Sequence, residues 1–321
     1  QISVSYCEPW ANREAPLKAL KWMFDKEAPL LFRPQLDWDQ WRWGLKFLAQ
    51  CNDTAFERNV QQIVALGAYS HAALKDLVAS TGIEYNRLER GIAHFYTDQK
   101  SFDAAGHAVE LMRKFGVQRR LVSRDELLKI EPAFKAYGDK ITGGTYTSTD
   151  ESGDARVFTQ ELARRCAARG AQFLYGHDVL RLNKIGDAID SVAVIARNTG
   201  AGGQKDFILK GDAFVVACGS YSAPLLRTVG VDLPIYPGKG YSATFPLLKP
   251  EGAPMVSTID DGKKIAMSRL GNVLRVAGTI ELGGFDMSLD SPVARARCHM
   301  LSRRIAEILP GVCDTRTPEE G

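Results

Sequence analysis

Residues 212–222, DAFVVACGSYS, constrain the fold more than any other part of the sequence. The apolar and β-branched run 213–216 predicts a short buried strand, and small residues then lead into Gly219. Glycine lets a backbone approach a ligand closely, and ligands of open α/β sheets lie at the carboxyl ends of strands. The segment therefore indicates a nucleotide-type cofactor beside Gly219, although strands that end in glycine also occur in ordinary cores.

Apolar residues elsewhere recur at both helical and strand-like intervals. Helical spacing predicts helices at 53–82, 102–115, 157–169 and 293–309. Alternating or short continuous apolar runs predict strands at 91–97, 171–175, 179–185, 189–196, 207–209, 213–217, 242–245, 264–268 and 273–278. We expect a hairpin tip or surface loop at 201–205 and a capping box at 123–126.

Composition excludes several classes of protein. The chain has 321 residues and a formal net charge of +3, which is too small to argue for a nucleic-acid partner. Its six cysteines are scattered without a metal-binding spacing, so we expect reduced thiols, no metal and a cytoplasmic location. No apolar run reaches membrane-spanning length, we expect no signal peptide, and 321 residues are enough for two domains.

Several further segments occur in the order of a known family. They are EPAF at 131–134, TGGTYTSTDESGDARVFTQELARRCAARG at 142–170, FLYGHDVLRL at 173–182, CGSYS at 218–222 and YPGKGYSATF at 236–245. The chain thereby resembles the D-amino acid oxidase-like flavoproteins, and among them the bacterial FAD-dependent D-amino acid dehydrogenases. The resemblance implies FAD as the cofactor and a mixed α/β (α+β) fold, with a Rossmann-like FAD-binding domain interleaved with an antiparallel-sheet substrate domain.

The resemblance also divides the chain. It assigns 1–6 and 143–222 to part of the FAD-binding domain, and 7–142 and 223–321 to the substrate-binding domain. The family's GxGxxG unit, which holds the FAD pyrophosphate, does not occur. The family's Trp-x-Gly-Leu-Arg-Pro segment, whose arginine is expected to bind the substrate carboxylate, is also absent. We therefore expect the sequence to be an internal portion of a longer enzyme.

The resemblance implies a set of cofactor-binding residues: Gln1, Ile2, Ser3, Val179, Ala217, Cys218, Gly219, Ser220 and Gly240. Gln1 to Ser3 would pass beside the isoalloxazine, Val179 would meet the adenine, and 217–220 would line the pyrophosphate and ribose. Two of these residues have an ordinary alternative, because Val179 could be a core valine and Cys218 a small filler.

No residue is a certain catalytic group, but four are candidates for the substrate pocket. Lys239 could stabilise a reduced anionic flavin, or it could be an exposed lysine on a hairpin. The Tyr241 phenol could hydrogen-bond a carboxylate, or its ring could simply pack in a strand. His94 and Tyr6 could face the substrate, although the sequence favours a hydrogen-bonded core histidine at position 94.

The implied activity is oxidative deamination of D-amino acids such as D-alanine to 2-oxo acids and ammonia, with a quinone or other respiratory acceptor. An oxygen-using glycine or sarcosine oxidase and a non-catalytic fragment unable to hold FAD are the alternatives. All five tryptophans lie early, and segment 22–43 combines four of them with lysine and arginine in two helical pieces broken by 29–34. This segment could rest on the inner membrane as a peripheral contact, or its rings could pack against the core.

Overall fold

The structure, a computed structural model, describes residues 2–22, 28–197 and 206–321. Its helices are α1 (Ala15–Trp22), α2 (Trp38–Ala49), α3 (Asp53–Thr81), α4 (Gln99–Lys114), α5 (Arg124–Ile130), α6 (Ala155–Ala167), α7 (Ser222–Arg227) and α8 (Pro292–Ile308). Its strands are β1 (Leu30–Phe32), β2 (Ile92–Tyr96), β3 (Arg120–Ser123), β4 (Gly143–Thr147), β5 (His177–Ile185), β6 (Ala188–Ala196), β7 (Phe207–Lys210), β8 (Lys239–Pro246), β9 (Ser257–Asp260), β10 (Ile265–Leu270), β11 (Val273–Leu282) and β12 (Glu319–Glu320). The four predicted helices are confirmed, with ends displaced by a few residues.

Local signals explain where several helices begin and end. Asn52 caps α3, because its side chain accepts a hydrogen bond from the Ala55 amide, and Gly82 closes the same helix at φ 62°. Ser123 caps α5 by accepting from the amide of Glu126, which confirms the predicted capping position.

Strands from distant parts of the chain form one large mixed sheet. Within the described residues it has nine strands in the order β12-β8-β11-β10-β9-β2-β4-β3, with β1 also paired to β11. The β2–β9 and β1–β11 pairs are parallel, and the other pairs are antiparallel. Consequently the end of β9, the start of β10 and the later part of β11 lie side by side.

One face of this sheet carries the main hydrophobic core. Successive residues of a strand point to opposite faces, so Ala93 and Phe95 of β2 share a face with Leu274 and Val276 of β11. These side chains pack against α5, the 3₁₀ segment Pro132–Lys140 and α8. The opposite face is therefore available for polar residues.

Strands β5, β6 and β7 form a separate antiparallel sheet, which has three strands among the described residues. The strands predicted at 171–175 and 213–217 are wrong, since these residues have no strand hydrogen bonds in the described part of the chain. Val215 is 91% exposed, whereas a buried strand was expected there. A strand needs a neighbour to satisfy its backbone groups, and no described strand pairs with this segment.

The chain divides into two compact units. The first comprises residues 1–33, 47–163 and 238–321, and it contains the large sheet. The second comprises 34–46 and 164–237, and it contains the small sheet. Segment 143–163 thus belongs with the large sheet, and the assignment of the predicted domains to FAD and to substrate stays a prediction. The loop predicted at 201–205 and residue Gln1 lie outside the described residues.

Candidate functional site

The face of the large sheet opposite the hydrophobic core is lined by polar side chains, and we call it the polar face. His94 and Tyr96 of β2 point to this face, because they alternate with the core residues Ala93 and Phe95. Thr145 of β4 lies directly opposite His94 in the strand register. All three polar side chains are buried, so neighbouring groups must provide hydrogen bonds for them or shift their pKa values.

Arg119 connects several residues of the polar face through hydrogen bonds. Its guanidinium is almost fully buried, and it donates to Thr145 Oγ1 at 3.1 Å and to Tyr96 Oη at 3.3 Å. It also forms an ion pair with Glu8 at 3.1 Å and donates to the Ser5 carbonyl at 3.3 Å. This set of bonds fixes the N-terminal segment against β2 and β4 and offsets the cost of burying the charge.

The first described residues lie on the same unit, where they join the β4–α6 loop. Ile2 forms an antiparallel bridge with Glu151, and Ser3 donates to Asp150 Oδ2 at 2.7 Å. Ser5 donates to the same carboxylate oxygen at 2.5 Å. The predicted cofactor residues Ile2 and Ser3 are thus held by a buried acidic pair.

The β4–α6 loop carries a third acidic residue, Asp154, and this residue caps the helix that follows. Asp154 accepts from the amides of Arg156 and Val157 at the start of α6. Glu151 instead is buried and forms an ion pair with Arg87 at 2.6 Å.

His94 is the most strongly perturbed group of the polar face. It is 1% exposed, and burial lowers its pKa to about 4. Its Nδ1 lies 3.7 Å from Asp261 Oδ1, and neither ring nitrogen has a hydrogen-bond partner among the described residues. The Tyr6 ring meets the imidazole edge to face, with 4.7 Å between centroids. Tyr6 itself is 40% exposed, so it forms the outer layer over His94.

Asp261 and Lys264, which sequence reasoning did not single out, complete this cluster. They lie in the turn between β9 and β10 and form an ion pair at 2.9 Å. Burial alone would raise the pKa of Asp261, but His94 and Lys264 hold it at about 2. Asp261 stays ionised beside a neutral His94. No local motif indicates this pair, because it becomes part of a site only through its contact with His94 of β2, which lies far away in the sequence.

Tyr241 and Lys239 lie in a second cluster of the same unit, around a buried glutamate. Tyr241 is 1% exposed and donates to Glu281 Oε2 at 2.5 Å, while Arg33 pairs with the other carboxylate oxygen at 2.7 Å. Burial and the Glu281 hydrogen bond raise the pKa of Tyr241 above its usual range. Two cations flank the phenol ring, with Lys239 Nζ at 5.5 Å and Arg297 at 5.7 Å from its centroid.

A strained residue lies beside this second cluster. Thr279 has φ 60° at a bulge in β11, where a β-branched residue is a rare outlier. Its side chain is buried, and Oγ1 has no hydrogen-bond partner among the described residues. Gly240, a predicted cofactor residue, is exposed on β8 across from this bulge, paired with Ile280. Strained residues of this kind concentrate at functional sites.

The remaining predicted cofactor residues lie in the second compact unit. Val179 is 46% exposed on β5, and Ala217, Cys218 and Gly219 are exposed in the turn before α7. Gly219 has φ 55°, and a Cβ added there would meet nothing within 4 Å. Small exposed residues and an open left-handed glycine fit the close approach of a nucleotide cofactor.

Comparison with known proteins identifies the family. A family model described as FAD dependent oxidoreductase matches residues 28–320. The D-amino acid dehydrogenase of Dechloromonas aromatica is 45% identical over 310 residues, which are 97% of this chain and 72% of that protein. The D-amino acid dehydrogenase of Granulibacter bethesdensis is 39% identical over 289 residues, which are 90% of this chain and 67% of that protein. The resemblance inferred from the sequence motifs is confirmed.

Solved structures confirm the expected fold. Glycine oxidase from Geobacillus kaustophilus aligns with a TM-score of 0.66 at 21% identity, over 81% of this chain and 66% of that one. L-proline dehydrogenase from P. horikoshii aligns with a TM-score of 0.64 at 18% identity, over 83% of this chain and 67% of that one. At these identities the alignments bear on the fold alone.

Proposed function

The chain belongs to the family of FAD-dependent oxidoreductases, and we propose that it carries out the oxidative deamination of D-amino acids as a dehydrogenase. The observation that carries this proposal is its similarity, along nearly the whole chain, to proteins named D-amino acid dehydrogenase. The overall change removes two electrons and two protons from the amino acid to give an imino acid. Water then hydrolyses the imino acid to a 2-oxo acid and ammonia.

FAD, when bound, supplies the two-electron oxidant for this reaction, and the protein supplies position and electrostatics. In our proposal the cofactor is held by Ile2, Ser3, Val179, Gly240 and the exposed turn at 217–220. Ser3 is anchored for this role by the buried Asp150 carboxylate. Gln1 belongs to the same proposed set.

The substrate lies, in this proposal, against the polar face. Tyr6 offers an accessible phenol, and His94 below it remains neutral at physiological pH because of its burial. Lys239 and Tyr241 belong to the proposed substrate pocket through the second cluster. There Glu281 holds the Tyr241 phenol in place by accepting its hydrogen bond. Neither cluster needs to remove the substrate Cα proton as a side-chain base, since FAD carries the oxidation.

We propose further that electrons leave to a quinone or another respiratory acceptor, and that the Trp-rich segment 22–43 contacts the membrane surface. Trp38, Trp41 and Leu45 are separated by three and four residues on α2 and are 73%, 47% and 67% exposed. Such spacing puts them on one side of a helix, as in helices that lie in a membrane interface. In the described ranges no helix is long and apolar enough to cross a bilayer.

The activity can be tested with the purified FAD-loaded enzyme under anaerobic conditions. D-alanine should bleach the visible flavin band, and L-alanine should leave it unchanged. Bleaching by neither enantiomer would contradict the proposed substrate class. Rapid oxygen consumption with peroxide release on D-alanine, in place of reduction of a quinone analogue, would identify an oxidase.

Membrane contact has its own test. Sedimentation with lipid vesicles should bring down the wild type, and a Trp38→Ser/Trp41→Ser variant should stay in the supernatant. A matched double substitution on the same helix, Arg42→Gln/Lys46→Gln, should retain binding, because these cations pair with Asp232. Equal sedimentation of the wild type and the tryptophan variant would contradict the proposed role of this helix.

A further inference from the structure

Two non-glycine residues with left-handed backbone meet at one end of the large sheet. Lys264 has φ 53° and immediately precedes β10, and Thr279 has φ 60° in β11. Ile265, the neighbour of Lys264, pairs with Gly278, the neighbour of Thr279. Each such residue costs on the order of 1 kcal/mol relative to glycine. A lysine at a position that favours glycine indicates that its side chain has a use.

The environment of Lys264 suggests what that use is. Its side chain is 42% exposed, and its ammonium pairs with Asp261 at 2.9 Å. Burial lowers the pKa of Lys264, but Asp261 and the phenol of Tyr6 outweigh this and raise it above its usual value. The group is therefore a permanent cation. An ammonium has three N–H donors, so further donors remain for a ligand beyond Asp261.

Arg119, the other cation of the polar face near His94, cannot serve in the same way. It is 2% exposed, and its donors are engaged by Thr145, Tyr96, Glu8 and the Ser5 carbonyl. Lys264 by contrast is accessible, and so is Tyr6, which is 40% exposed. An anionic group approaching this end of the polar face would meet an accessible ammonium and an accessible phenol.

We propose that Lys264, held in place by Asp261, binds the carboxylate of the amino acid substrate; this inference rests on the proposed function. A carboxylate has about four acceptor positions, so binding by Lys264 leaves other positions free for a second donor such as the Tyr6 phenol. The Asp261 carboxylate keeps the lysine charged and oriented, and Tyr6 covers the side of the site next to His94.

The test compares substrates with and without a carboxylate. In Lys264→Met, kcat/KM for D-alanine should fall about 10- to 100-fold, mostly through KM, because a charge-assisted hydrogen bond is lost. For D-alaninamide, which lacks the carboxylate, kcat/KM should stay within about twofold of wild type on the same argument. Lys263→Met removes a neighbouring exposed lysine from the same turn, and it should behave like wild type towards both substrates.

A second variant controls for the possibility that Lys264→Met loses activity through misfolding. Lys264→Gly removes the cation but favours the left-handed backbone, so it should fold and show the same selective loss. Equal losses for D-alanine and D-alaninamide, or no loss in either variant, would overturn the assignment.

A binding measurement separates this inference from the proposed function. Calorimetric titration with propionate, a carboxylate without an amine, should show weaker binding to Lys264→Met than to wild type. If wild type binds propionate through Lys264 yet does not oxidise D-alanine, the proposed reaction fails and the carboxylate site stands. If D-alanine is oxidised and propionate binds both proteins equally, the carboxylate site fails and the reaction stands.

Discussion

His94 should make the protein sensitive to acid, and His94→Gln should remove that sensitivity. The imidazole is buried among Tyr6, Asp261, Lys264 and Arg119, and burial lowers its pKa from 6.5 to about 4. The unfolded chain therefore binds a proton more readily than the folded protein between these values. The free energy of unfolding is therefore highest above about pH 6.5 and falls as the pH drops towards about 4. The total loss due to His94 is about 3 kcal/mol.

Urea unfolding at two pH values measures this effect. Linkage predicts that His94 costs the wild type about 2 kcal/mol between about pH 7.5 and about pH 5. The free energy of unfolding of His94→Gln should lack this loss. His107 is exposed on α4, and His107→Gln should follow the wild type at both pH values. If His94→Gln loses as much stability as the wild type on acidification, burial of a neutral imidazole is not the cause.

Three further predictions concern particular features of the fold and are tested through the free energy of unfolding. Thr279→Gly should raise it by about 1 kcal/mol by relieving the left-handed backbone, and a decrease would show that the bulge is unstrained. Tyr241→Phe should lower it by about 1–3 kcal/mol, because Glu281 loses a buried donor, and an unchanged value would contradict this bond. Gly82→Ala should cost about 1 kcal/mol at φ 62°, whereas Gly106→Ala inside α4 should be neutral or stabilising, and equal effects would refute the capping argument.

Features that depend on neighbouring residues could be predicted from the sequence. The α3 helix follows from its apolar spacing together with Gly82, and the start of α5 follows from Ser123 and Glu126. Strands β5 and β6 follow from two apolar runs joined by a short turn with Gly186. In each case the groups that interact lie within a few residues of one another, so a local pattern contains the information.

The clusters of the polar face depend instead on contacts between distant residues. The Ser5 hydroxyl meets Asp150 across 145 positions, and Arg119 meets Glu8 across 111. The sequence indicated His94 and Tyr6 separately as candidates, and the structure brings them into ring contact. Asp261 and Lys264 were missed, because a turn with two acidic and two basic residues is ordinary unless the strand beside it is known.

Residues 213–217 and Tyr241 show why composition alone cannot decide burial. The apolar run at 213–217 has the pattern of a core strand, yet Val215 is 91% exposed, and no described strand pairs with this segment. Tyr241 could, from the sequence, either hydrogen-bond a carboxylate or pack in a strand; it is 1% exposed, and its hydroxyl donates to Glu281 inside the protein. Hydrophobicity alone therefore predicts burial poorly at both places, because contacts with distant residues contribute to it. A search for functional residues in this fold should therefore weigh the partners of each polar group before its residue type.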